Sequence, residues 1–117
     1  MAWHSLYILD TGGNPVPCDR VFAWRDWFDA QDRSLALDTL PSGARVHTIF
    51  LSLNHAFRPG PPVLWETRVE GGSFDGTTWR YTSATDALDG HEVLVNTIME
   101  AEAEMVVRVD QKNLIAA

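Results

Sequence analysis

Apolar residues recur along this chain with two different periods, and the places where the period changes outline an α+β fold. Trp3, Ser5, Tyr7 and Leu9 alternate with His4, Leu6 and Ile8, an aromatic-rich strand pattern closed by the turn residues Asp10-Thr11-Gly12-Gly13-Asn14-Pro15. The period then lengthens. Val21, Trp24, Phe28, Gln31 and Leu35 fall at helical spacing, with Trp27 widening the stripe and Asp19 placed to cap the helix. That helix is expected to stop near Asp32 or Arg33. Leu35, Leu37 and Thr39 next alternate with Ala36, Asp38 and Leu40. Pro41-Ser42-Gly43 turns the chain, and Ala44 to Leu53 is the strongest strand signal, so this region reads as a hairpin.

Arg58-Pro59-Gly60-Pro61-Pro62 excludes helix and central strand. Val63 to Glu70 alternates again, Gly71 to Gly76 turns, and Thr77 to Tyr81 is a short strand. Ser83 followed by Asp86 resembles a capping box that opens a second helix, whose stripe is Ala87, Leu88, His91, Leu94, Val95, Ile98 and Met99. Residues 105–117 fit either an extra strand or a loose tail, and Met105 to Val109 also suits helix. The predicted order is β-α-β-β-β-β-α: an antiparallel sheet of about five strands with two helices on one face, in one domain spanning 1–117. If the odd-numbered strand positions meet the helices, Ile49, Leu51, Trp65 and Trp79 form the core, while Phe50, Arg68 and Arg80 line the open face.

Composition narrows the function classes. A chain of 117 residues and 13.1 kDa with 45% hydrophobic and 21% charged residues can bury a core without staples. A single cysteine removes internal disulfides and multi-cysteine metal sites. No apolar run approaches the ~18 residues of a membrane span, no secretion signal opens the sequence, and a cytoplasmic setting is the expectation. The net charge of -7 counts against non-specific nucleic-acid binding. It is uneven: residues 1–58 hold six acidic and five basic groups, residues 59–117 ten acidic and four basic. The five tryptophans are the compositional oddity.

A set of motifs carries a family likeness. Asn14-Pro15-Val16-Pro17, the tryptophan-rich helix, the run Val46 to Phe57, Gly60 to Thr67, Arg80-Tyr81-Thr82-Ser83 and Asp89-Gly90-His91-Glu92 together resemble a group of small bacteriophage and prophage proteins. The likeness covers most of the chain up to about residue 95. It implies a phage gene product in the cytoplasm of a bacterial host. The group has no established activity, so no catalytic residue is carried over.

Four features suggest chemistry. Leu9-Asp10-Thr11-Gly12 resembles the active-site turn of retroviral-type aspartic proteases, but a helix follows within ten residues and the second apolar-Gly segment is missing. Cys18 precedes a helix start, where a thiol can be activated, with His4 as a conceivable base. His47 and His55 would lie about 26 Å apart on a straight strand, too far to share a metal. His55, Glu66 and His91 could form a hydrolase-type site only by converging near the proline-rich loop. No metal-ligating cluster and no cofactor motif is present, so neither is expected.

The leading expectation is a non-enzymatic phage accessory protein that binds a host or phage protein. An inhibitor of host machinery, such as a CRISPR or other defence system, is the suggested role, and a homodimer through the sheet is a side expectation. The expected binding surface comprises Trp3, Trp27, Phe50, Phe57, Arg68 and Arg80. The alternative is the small hydrolase built on His55, Glu66 and His91. A third, lower-ranked class is acidic DNA mimicry by the carboxylates of the last helix.

Overall fold

The computed structural model describes residues 4–116, and side chains for 4–109. Its elements are β1 (Tyr7–Leu9), β2 (Pro15–Pro17), α1 (Val21–Ala30), β3 (Ser34–Thr39), β4 (Arg45–Phe50), β5 (Trp65–Glu70), β6 (Thr78–Tyr81) and α2 (Ala84–Ala116). Four strands form an antiparallel meander, β3-β4-β5-β6, because each connection is a turn or loop that returns the chain beside the strand it left. β1 and β2 form a separate antiparallel pair. The fold is thus α+β, with six strands in two sheets among the described residues. The additional strand is β2, where turn chemistry was expected. Its prolines lack N–H donors, which is tolerable because β2 sits at an edge.

Register decides which face is core. Phe50 opposes Trp65, Thr48 opposes Thr67 and Val46 opposes Val69. Each pair joins an even-numbered β4 residue to an odd-numbered β5 residue, and directly opposed residues share a face. Val46, Thr48, Phe50, Trp65, Thr67 and Val69 are accordingly all buried. The expectation that odd positions face the helices holds for β5 and fails for β4. Ile49 and Leu51 are only half-buried, Trp79 is 40% exposed, and Phe50, expected on the open face, is 1% exposed.

Helix α2 lies across this face. It opens with the Asp86 amide donating to Ser83 Oγ at 3.1 Å, the predicted cap. Ala87, His91, Leu94 and Ile98 are buried on it. The helix runs through the segment expected to be a strand or loose tail, so Glu100, Glu102 and Glu104 lie well inside it and not at its C-terminus.

Helix α1 reaches the same core with Trp27, which stands edge-on to Phe50 at 5.9 Å between ring centroids. Asp19 does not cap α1; Arg20 occupies the cap position, and Asp19 pairs with His4 at 3.3 Å. Ser52, at φ 65°, turns the chain out of β4 in the left-handed region. Its carbonyl accepts from the Tyr7 amide (2.9 Å) and from Trp24 Nε1 (3.2 Å), fastening β1 and α1 to the sheet.

The core is in two parts. Leu40, Ala44, Val46, Val69, Leu94 and Ile98 form one cluster, and Tyr7, Phe50, Leu64, Trp65 and Ala87 form the other. Between them lies polar chemistry.

Candidate functional site

A hydrogen-bonded seam crosses the whole meander beneath α2. Each strand contributes one residue: Asp38 from β3, Thr48 from β4, Thr67 from β5 and Tyr81 from β6. His91 of α2 completes it. His91 Nε2 lies 2.7 Å from Asp38 Oδ2, and Nδ1 lies 2.7 Å from Thr48 Oγ1. The Thr48 and Thr67 hydroxyls are 2.5 Å apart, and the Tyr81 hydroxyl donates to Thr67 Oγ1 at 3.0 Å. Polar groups in a core need partners, because an unpaired buried donor or acceptor costs about 1–3 kcal/mol. Here every member has one.

Carboxylate, imidazole and hydroxyl follow one another in the order used by nucleophile triads. Thr48 is nonetheless 0% exposed, and its hydroxyl is already engaged by His91 and Thr67. No substrate reaches it. Burial also pushes the Tyr81 phenol above its ordinary pKa, so the phenol keeps its proton at neutral pH.

The convergence of His55, Glu66 and His91 does not occur. Glu66 opposes Ile49 and Arg80 on the side of the sheet away from α2, whereas His91 belongs to α2 and meets the other side at Thr48. His55 lines a cavity of about 430 Å³ with Phe57, Arg58, Pro59 and Arg80, to which neither Glu66 nor His91 contributes. The parity of β5 separates the last two: Thr67 points to the helix, so Glu66 points away.

The other sequence candidates resolve locally. Asp10 Oδ1 accepts from the Gly12 and Asn14 amides, both at 2.9 Å, so the Asp-Thr-Gly run makes the β1–β2 turn. Cys18 Sγ contacts the Arg20 carbonyl at 3.7 Å, while His4 pairs with Asp19, so no thiol–imidazole pair forms. Among the described residues no group of three or more His, Cys, Asp or Glu could hold a metal.

The expected binding surface divides. Phe50 is core, and Trp27 is half-buried against it. Trp3 lies outside the described residues. Phe57 is 95% exposed on the loop between β4 and β5. Arg68 and Arg80 are exposed on the sheet face opposite α2, as expected, and Arg80 Nε bonds to Glu66 Oε1 at 3.2 Å.

That face carries more than sequence parity indicated. Register places Arg45, His47 and Ile49 of β4 beside Glu66, Arg68 and Glu70 of β5. Arg33 joins them around a shallow depression of about 350 Å³ lined also by His47, Ile49, Glu66, Arg68 and Glu70. Arg33 is held by its Nη1 bond to the Phe50 carbonyl (2.9 Å) and by stacking 3.8 Å from the Phe28 centroid. Its partial burial lowers its pKa, a cost of desolvation. Arg80 borders the loop cavity as well, so the sheet face and the Phe57 loop are one continuous surface.

Sequence reasoning missed Asp38, Thr48, Thr67 and Tyr81 as a unit, and Arg33 and Arg45 as surface. The available signal was the pair of threonines at β-branched strand positions opposite a histidine on an apolar helix stripe. No known protein family, curated protein or solved structure matches this chain.

Proposed function

We propose that this chain is a non-enzymatic bacteriophage accessory protein that acts by binding another protein through the open sheet face and the adjoining Phe57 loop. The observation that carries the reading is the charge of that face. Arg33, Arg45, Arg68 and Arg80 stand there against Glu66 and Glu70, a balance of +2 on a chain of net charge -7. A basic island on an acidic molecule orients an acidic partner during encounter. Ile49 and Phe57 supply apolar contact beside the arginines, and aromatic and arginine side chains are the types enriched at protein interfaces.

The resemblance of the sequence motifs to phage and prophage proteins supports the setting, the cytoplasm of a bacterial host. No helix among the described residues is long and apolar enough to cross a membrane. Inhibition of host machinery, a CRISPR or other defence system included, is the finer role we assign; its support is the small size and acidic balance of the chain, by analogy.

The test is cross-linking capture from infected host cells with three forms of the protein. The wild type and a Glu104→Lys control on α2 are expected to retain the same partner. The double variant Phe57→Ala, Arg68→Glu is expected to lose it. Equal retention by the double variant overturns the assignment of the surface.

A further inference from the structure

The polar seam offers a further deduction, independent of the binding surface, because its hydrogens can be placed one by one. Tyr81 donates to Thr67. At the other end the Asp38 carboxylate can only accept, so a ring with one hydrogen carries it on Nε2 and Nδ1 accepts from Thr48. The one hydrogen of Thr48 is then used, and the bond between the two threonines is donated by Thr67. In this arrangement the ring carries a single hydrogen, the chain runs in one direction, from β6 to β3, and every donor is matched.

A second ring proton cannot enter that arrangement, since Nδ1 would face the hydrogen of Thr48. It can enter the reverse arrangement. Nδ1–H then donates to Thr48, Thr48 turns to Thr67, and Thr67 turns to the Tyr81 oxygen. The last hydrogen, that of the hydroxyl of Tyr81, a half-buried residue, must then turn out of the seam. No O–H bond breaks; three hydroxyl rotors turn, and the added proton comes from water.

We infer that the seam is a proton-responsive polarity switch: one proton taken up by His91 reverses the hydroxyl chain across the sheet and turns the Tyr81 O–H outward.

Two features favour both states being accessible. Asp38, with its side chain 55% exposed, faces His91 from β3 and forms an ion pair once the ring is charged. Gly90 leaves the Tyr81 hydroxyl its space, because a Cβ at that position would overlap it. The titratable groups that face His91 across the interface are Asp38 directly and Tyr81 through the threonines. β4 and β5 present only uncharged side chains to this layer.

The test is NMR of the intact protein across a pH titration, following the His91 ring nitrogens and the Tyr81 Cζ. The expected result is an Nε2–H tautomer at neutral pH and, on acidification, a Tyr81 shift with the same midpoint as His91 protonation. Thr67→Ser keeps the hydroxyl and is expected to keep the shared midpoint; Thr67→Val removes it and is expected to leave Tyr81 unresponsive while His91 still titrates. An Nδ1–H tautomer in the wild type, or a Tyr81 signal that stays flat through the His91 transition, overturns the inference without recourse to a variant. So does a Tyr81 response that survives in folded Thr67→Val.

Discussion

A methyl group at position 90 has nowhere to go. In the middle of a helix Gly→Ala ordinarily stabilises by up to about 1 kcal/mol, because alanine has the higher helix propensity. Here the new Cβ would run into the Tyr81 hydroxyl and ring edge. Overfilling a packed site costs about 1–3 kcal/mol. Gly90→Ala is therefore expected to lower the urea midpoint, opposite to the propensity rule; a raised midpoint would show that Tyr81 yields freely. Thr48→Val makes the complementary change. It conserves shape but strips His91 Nδ1 of its donor and the Thr67 hydroxyl of its acceptor. The expected loss is about 1–3 kcal/mol in chemical denaturation, because His91 Nδ1 and the Thr67 hydrogen lose their buried partner while Thr67 keeps its bond from Tyr81 and His91 its bond to Asp38. Both residues lay within motifs read from the sequence, but neither signalled a contact. The neighbours that give them meaning are 9 and 43 positions away.

At the scale of elements, the strands other than β2 were legible in position, but the facing of β4 was not. Alternation finds a strand; it does not say which of its two faces turns inward when both carry large apolar groups. β4 has Ile49 on one side and Val46 and Phe50 on the other, and pairing with Trp65, Thr67 and Val69 settled the matter. The start of α2 was legible because capping is local. Ser83→Ala removes the hydroxyl that accepts the Asp86 amide, and a loss of about 1 kcal/mol is expected by thermal denaturation. Its end was not legible, since Met105, Val106, Val107 and Val109 suit a strand by propensity. They are half or more exposed on the helix, beyond the last residues that the sheet buries.

For the molecule as a whole, that helix sets the shape. A compact chain of this length has a radius of gyration of about 13 Å, whereas this one measures 18.5 Å, with extents of 66 × 29 × 21 Å. A helix of 33 residues spans about 50 Å, so α2 outruns the sheet it covers. The charge is distributed as unevenly as the mass. The open sheet face is basic while Glu100, Glu102 and Glu104 stand on α2 across the sheet from it. Binding of an acidic partner through the arginines is expected to slow in association as salt rises, because screening acts over about 10 Å at 0.1 M. Arg45→Glu should lower the association rate severalfold at low salt and little at high salt, measured by surface plasmon resonance with the captured partner. An equal effect at both would assign Arg45 to short-range contact instead of steering.

By itself the sequence determined the class of fold and the rough extent of most elements. These follow from local propensity, turn residues and composition, all of which act over a few positions. Tertiary structure alone decided that Phe50 is core and Arg45 surface, that Glu66 and His91 lie on opposite sides of the sheet, and that four strands and a helix meet in one polar seam. The physical reason is register. A displacement of one residue between neighbouring strands exchanges every inward side chain for an outward one, and no local pattern in this chain fixes that displacement.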